Sequence, residues 1–539
     1  MLQISPMKQA FIILSLLLLW PSCMSSQVLR DYSYVVQAEP WLTSTNAAGL
    51  TRYASPNIAT AELSLSKQEG GLTNYDGSPN VTLWDAGIAS YYRITSRAVL
   101  YGSMSFSSFS GKDMAGSAFI PHDTHRPFDI VEDSLTNLGS KRLDNYLLNG
   151  GIGYSLTDAF AIGARVDYTA ANYAKYKDLR HQNKLMNLQT TVGILATLQN
   201  HICIGANYLY RRNIENVNFS TNGKSDKVYK SLIDYGTFFG RVEQFGNEGY
   251  TDKSREMPFV DERHGFGIQL STTSMSPLTA YIAFDYAHRH GYYGRKSPYT
   301  ITYANHEGDQ MHLLASVEYK KDSSACHRLS FSLDHEKLQN AATTCRELKN
   351  AAGATYYEYY TPVETADKQW LEGKLDYTLN LDIREELPLW TLKTGIGWMN
   401  RRQTSYLYPY YCYQRLSNYE LFLQVNRNLI ARHGVWSLAL GGSFLKGSGQ
   451  PFSINSFVAP PILHTSYATM PAYLYREYQY LTASQYAVGG QVKYAFLFPG
   501  TKVKTHTRLC IYHRKANETF DYSNGCDRTQ ITLALGATW

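Results

Sequence analysis

The sequence predicts an all-β fold: a transmembrane, antiparallel, up-and-down β-barrel of about 18 strands (roughly 16–18), with short turns at one end and long loops at the other. Three observations carry this. Apolar and polar residues alternate with period two from about residue 79 to the last residue. The N-terminus reads as an export signal. No later stretch approaches the ~18 consecutive apolar residues of a membrane helix, and a closed barrel is the other structure that satisfies every backbone polar group in lipid.

Composition agrees. Only 18% of the 539 residues are charged, against roughly 25% in soluble domains. Tyrosine is in excess at 44 residues, and its ring suits a membrane–water boundary because one end is apolar and the other wet. The net charge of +6 is scattered without a Lys/Arg run, which excludes a nucleic-acid surface.

Taken in order, residues 1–26 form the expected signal peptide. Lys8 precedes an apolar run from Ala10 to Trp20, followed by small and polar residues with cleavage expected near Ser26. Met7 offers an alternative start. Trp20-Pro21-Ser22 before Cys23 is a poor lipidation signal. Residues 27–56 are expected to be a periplasmic or lumen-inserted segment, and 57–539 the barrel.

In Phe160–Tyr168, Phe160, Ile162, Ala164, Val166 and Tyr168 share one face. Ala161, Gly163, Arg165 and Asp167 share the other. The first suits lipid and the second a wet interior. The pattern repeats through Leu148–Leu156, Leu278–Tyr286, Met311–Tyr319, Leu371–Leu379, Tyr486–Phe496 and Ile531–Trp539. Each matches the ~9–11 residues of a tilted spanning strand.

Short turns near Thr95, Asp158, Asn200, Ser276, Asp322, Arg384, Ala431 and Gly500 each join two such runs. One strand near 57–67 precedes these hairpins and one near 528–539 follows. Polar segments at 110–141, 172–185, 214–261, 290–309, 338–367, 403–415 and 447–483 are expected loops. Such asymmetry puts turns in the periplasm and loops outside. No blade-like repeat argues for a soluble propeller.

The final residue, Trp539, is in phase with Ile531, Leu533 and Leu535, as a signal to barrel-assembly machinery would be. Through Asn46-Ala47-Ala48-Gly49-Leu50 and Leu143-Asp144-Asn145-Tyr146, the chain resembles an uncharacterised family of outer-membrane barrels from Bacteroidetes. That resemblance implies an outer-membrane barrel and leaves the substrate open. The Asn-Ala-Ala-Gly-Leu segment is also similar to the N-terminal region of fatty-acid-type transport barrels, where a short segment sits inside the barrel. The stretch before the first strand is too short for the plug domain of TonB-dependent receptors.

Candidate lumen-lining residues are Arg165, Asp167, Arg211, Asp285, Glu318, Lys320, Glu372, Lys374, Asp376, Lys493, Lys504 and Arg508. Charge rings of this kind tune permeation, but the signs are mixed, so mutual pairing or weak selectivity is expected. Tyrosines at 292–293, 356–360, 406–413 and 473–480 read as an interfacial girdle, or else as a sugar-stacking platform. His122 and His125 flank Asp123 in a spacing that zinc sites use, but a loop with Pro121 and Pro127 needs no metal. His288 and His290 read as loop-edge residues. Six cysteines after cleavage show no CxxC spacing; Cys203 and Cys510 point inward, while Cys345, Cys412 and Cys526 lie on the outer side, where pairing is open.

No GxSxG, HExxH or Walker pattern appears, so no enzyme, cofactor or metal site is expected. A solute transport or diffusion channel is the leading expectation. The alternative is a plugged surface barrel that binds a partner lipoprotein or glycan. Expected partners are outer-membrane lipids, the assembly machinery and, in the second case, that envelope partner.

Overall fold

A computed structural model describes residues 30–539, apart from 122–124, 133–136, 199–201, 224–225, 247–248, 254–256, 273–276, 461–465, 499, 502 and 524. Its main body is a closed barrel of 18 antiparallel strands. Closure is direct: Ile58–Glu69 pairs with Asn80–Arg93 on one side and with Asp527–Thr538 on the other. Neighbouring barrel strands pair in chain order, so the topology is up-and-down. Closing the sheet removes both edges, which would otherwise leave a row of unpaired N–H and C=O groups.

Period-two alternation sets the two faces. Phe160, Ile162 and Val166 face out, and Ala161 between them is buried. Leu63, Trp84, Ile88, Met104, Leu148 and Ile152 continue an apolar outer belt. A belt of this size in water would be a large unpaired hydrophobic patch. Trp539 stands outward at 47% exposure and pairs with Ala59 through two backbone hydrogen bonds of 2.9 and 3.0 Å.

The strands are longer than expected, from 12 residues in Ile58–Glu69 to 23 in Gly434–Ser456. Three expected loops therefore shrink to the connections 176–179, 298–299 and 408–409. Polarity misled the reading there. Beyond the apolar belt a strand still alternates, but with polar residues on both faces, as in His288, Arg289 and His290 of Leu278–Ser297. These are wall residues, not a loop edge. Arg289 points inward and is 1% exposed.

Two groups of elements fill the barrel. At the turn end, the N-terminal segment forms a helix, α1 (Tyr32–Ala38), and two 3-10 turns, Pro40–Leu42 and Ala47–Arg52. At the loop end, Asp129–Glu132, Lys230–Asp234, Phe239–Gln244 and Ala468–Thr469 form a four-stranded sheet from three different loops. A second helix, α2 (Pro471–Thr482), packs beside it on wall strand Gly434–Ser456. Neither the sheet nor α2 has a counterpart in the expected loops.

Candidate functional site: the lumen and its two plugs

The turn-end plug is fitted to the wall by small residues. Inward glycines at 153, 163, 193 and 205 form a groove for residues 41–51. A Cβ on Gly163 would lie 2.3 Å from the Ala47 carbonyl carbon and from the Ala48 nitrogen. One on Gly193 would lie 2.1 Å from Asn46 Oδ1. Asn46 caps its own turn by accepting from Ala48 N at 3.0 Å. Its amide nitrogen donates to Ile194 O at 2.9 Å, Ala206 O at 3.3 Å and Gln269 Oε1 at 2.9 Å. Trp41, 2% exposed, donates from Nε1 to Ser271 Oγ at 2.8 Å and packs edge-on to Tyr281.

The loop-end plug is held more by charge. Glu132 receives Lys175 in a short ion pair and Lys141 at 3.6 Å, and both lysine side chains are fully buried. Asp129 accepts from Tyr75 at 3.0 Å and Ser117 at 2.7 Å, with Arg126 at 3.6 Å. The hairpin tip places two non-glycine residues, Thr237 (φ 61°) and Phe238 (φ 52°), in the left-handed region. Asp234 Oδ1 compensates by accepting from Gly236 N at 2.8 Å and Phe239 N at 3.1 Å. Burial pushes the Asp234 carboxyl up to about 7, against the pull of Lys368. Phe238 packs with Tyr75 and Tyr473. Tyr473 is thus a core residue of α2, not part of a girdle.

Space remains in the lumen beside the plugs. A chamber of about 820 Å³ lies against the wall strands Ile58–Glu69, Asn80–Arg93 and Ala98–Met114, walled by small residues such as Ser64, Gly87, Ser103 and Ser105. Tyr32, Val36 and Leu42 of the N-terminal segment border it. Two smaller cavities share the residues His125 and Trp370. Their rings stack at 3.9 Å with 10° between planes. His122 and Asp123 lie outside the described residues. His125 itself pairs with Glu336 at 2.8 Å and approaches Glu372 at 3.7 Å. Burial alone would lower the His125 imidazole, but these carboxylates outweigh it and raise it above its ordinary value.

All twelve lumen candidates fall on the inward parity of their strands. Most are paired. Arg165 binds Asp167 at 2.8 Å, Lys374 binds Asp376 at 2.9 Å, Glu318 binds Arg328, and Arg508 binds Glu62. Arg211 donates to Asn187 at 2.9 Å, and Asp285 accepts from Thr45 of the N-terminal segment at 2.8 Å. Lys493 and Lys504 border a turn-end cavity with Arg30, Asp31 and His506. Lys320 ends its strand at the turn end and is brought to none of these groups. One inward network is built of residues absent from the expected set: Arg289 bridges Asp261 at 2.6 Å and Glu336 at 2.7 Å. The alternation at 288–290 could have revealed it. The six described cysteines are all free, and Cys412 is buried beneath the hairpin tip, where Thr237 donates to its sulfur at 3.2 Å.

Fold and site together define a closed barrel whose lumen is plugged by its own chain at both ends. The chain belongs to a family of unknown function, DUF6850, which matches residues 47–539. No curated protein matches. Among solved structures, the outer membrane transporter YddB from Escherichia coli is similar at 7% identity and TM-score 0.42, over 90% of this chain and 81% of that one. BauA, the ferric preacinetobactin receptor from Acinetobacter baumannii, is similar at 8% identity and TM-score 0.40, over 90% and 80%. A TodX monoaromatic hydrocarbon channel variant covers 96% of each chain at 10% identity and TM-score 0.32. At these scores the likenesses carry no argument, and the barrel rests on its own strand pairing.

Proposed function

We propose that this protein is an outer-membrane barrel that passes a solute across the membrane through a lumen its own chain keeps shut at rest. The observation that carries this is the chamber of about 820 Å³ left in the lumen beside the turn-end plug, within the roughly 300–1,000 Å³ of small-molecule sites. A barrel serving only as a scaffold has no need of such a space. The apolar outer belt supports membrane insertion, and the outward Trp539 supports hand-over by assembly machinery. A cleaved leader at 1–26 and a Bacteroidetes source remain part of this proposal, which includes no enzymatic step.

The test is planar-bilayer conductance of the full chain beside a variant in which residues 230–244 are replaced by a short Gly-Ser linker. The wall strands Ile202–Ser220 and Met257–Thr272 stay intact. Rare steps in the full chain and steady conductance in the variant are expected. Silence in both would overturn the transport reading. A second reading, surface capture of a lipoprotein or glycan, draws on the exposed loop-end aromatics Tyr360, Tyr408 and Phe457. Loss of partner capture on changing these three to serine, in a silent barrel, would favour it.

A further inference from the structure

The stacked His125–Trp370 pair divides two cavities that differ from the large chamber in one respect: they are rich in carboxylates. The loop-end cavity, about 330 Å³, is lined by Asp76, Asp129, Asp234 and Glu477 against Arg126, Lys368 and Arg401. The lumenal cavity, about 280 Å³, is lined by Asp285, Asp334, Glu336 and Glu372, with the imidazoles of His125, His312 and His335 as its basic groups and no Lys or Arg among its lining residues. Glu336 is neutralised by Arg289. The other three are not: among the described residues, Asp285, Asp334 and Glu372 have no Lys or Arg within salt-bridge distance. Asp334 meets only His312, at 2.6 Å, and Glu372 only His125.

Three carboxylates without fixed counter-charges beside an indole face are the chemistry that holds an ammonium group. The carboxylates supply Coulomb attraction, and the Trp370 ring supplies a cation–π surface at up to ~6 Å. A second observation points to a ligand independently of the acidic cluster. Asn207 lines the same cavity and is 6% exposed. Its Oδ1 accepts from Gln269 at 2.7 Å, but its buried Nδ2 has no hydrogen-bond partner. Such a donor is costly to leave unmade, and an acceptor atom on a bound molecule would satisfy it.

We propose that the lumenal cavity binds a small organic cation carrying a hydrogen-bond acceptor, with Asp285, Asp334 and Glu372 around its charge and Trp370 against it. The His125–Trp370 stack is then the partition the cation crosses from the loop-end cavity. This deepens the transport reading and rests on it for the crossing, but not for the binding.

The experiment is equilibrium dialysis of the full-length protein in detergent with radiolabelled choline at constant ionic strength, beside Glu372→Gln, Asp334→Asn and Trp370→Leu. The Glu372 and Asp334 side chains are 49% and 57% exposed, so both carboxamides keep the fold, which heat-modifiable gel mobility verifies. One site per chain is expected. Removing one carboxylate roughly 6 Å from the bound charge, in a water-like medium, should weaken binding about threefold, and Trp370→Leu should weaken it too. No choline binding, or binding unchanged in both carboxamide variants, overturns the inference. The transport reading fails separately: a barrel that binds choline but never conducts keeps this site and loses the channel, while a conducting barrel that ignores choline does the reverse.

Discussion

Gly163→Ala tests how the turn-end plug is held. The new methyl would sit 2.3 Å from two backbone atoms of the N-terminal segment, well inside the ~3.5–4.0 Å of carbon contact. The wall cannot yield, because Phe160–Lys175 is laddered on both sides. The Ala47–Arg52 turn must lift instead, and with it the Asn46 amide that donates to Ile194, Ala206 and Gln269. Overpacking costs typically 1–3 kcal/mol and each strained hydrogen bond about 1 kcal/mol, so about 3 kcal/mol is expected, or roughly a hundredfold more of the undocked state. Limited trypsin cleavage after Arg52 in micelles reads that population when opening is faster than cutting. Gly150→Ala is the control, since its Cβ would meet nothing within 4 Å. Equal cleavage rates in the two variants would refute the fitted groove.

Three further outcomes are expected. Asp234 and His125 both have raised folded-state pKa values, Asp234 reaching about 7 from 3.8. Each stabilises the loop-end plug below its unfolded value and loses that stability as pH rises through its folded one, so bilayer openings should be more frequent at pH 8.5 than at pH 5; the opposite order would contradict the assignment. The groups that set this are Lys368, Asp129 and Glu477 around Asp234, and Glu336 and Glu372 around His125. Glu132→Gln leaves Lys141 and Lys175 buried without their carboxylate, a loss of about 3–5 kcal/mol. Maleimide labelling of Cys412, with the other described cysteines changed to serine, should accelerate strongly, and an unchanged rate would show that the pair does not hold the plug. Deleting Trp539 removes an outward aromatic from the closing strand pair, so the folded, heat-modifiable form should become scarcer in the membrane fraction while refolding in detergent persists.

The wall was legible in the sequence because its signal is local. Phe160 to Tyr168 alternates within nine residues, and the eight turns each separate two such runs, so strand number and inward parity followed without long-range information. The plugs were not legible, because nothing local specifies them. Asp129–Glu132 and Lys230–Asp234 are four and five residues long, and they join one sheet only when separate loops meet inside the barrel. Glycines 153, 163, 193 and 205 looked like spacing on a polar face; their meaning depends on four neighbouring strands turning them toward one segment. Trp370 and His125 lie 245 residues apart and meet only when the barrel closes. Strand length failed for a different reason, since polar residues at 290–309 still alternate once lipid no longer selects the outer face.

The two plugs are held by different chemistry, and this predicts that they open separately. The turn-end plug buries Trp41, Leu42 and Leu50 in clusters with the wall. The loop-end plug buries Phe128, Ile233 and Phe238 in others, and no residue belongs to both sets. Sites without shared partners add to within about 0.3–0.5 kcal/mol. Gly163→Ala should therefore speed cleavage at Arg52 without changing Cys412 labelling, and Glu132→Gln should do the reverse. In the double variant each rate should equal that of its own single variant. If either substitution moves the other's readout several-fold, the plugs form one cooperative unit. The lumen would then open at both ends together, as a pore, and separate opening of the two plugs would have to be abandoned.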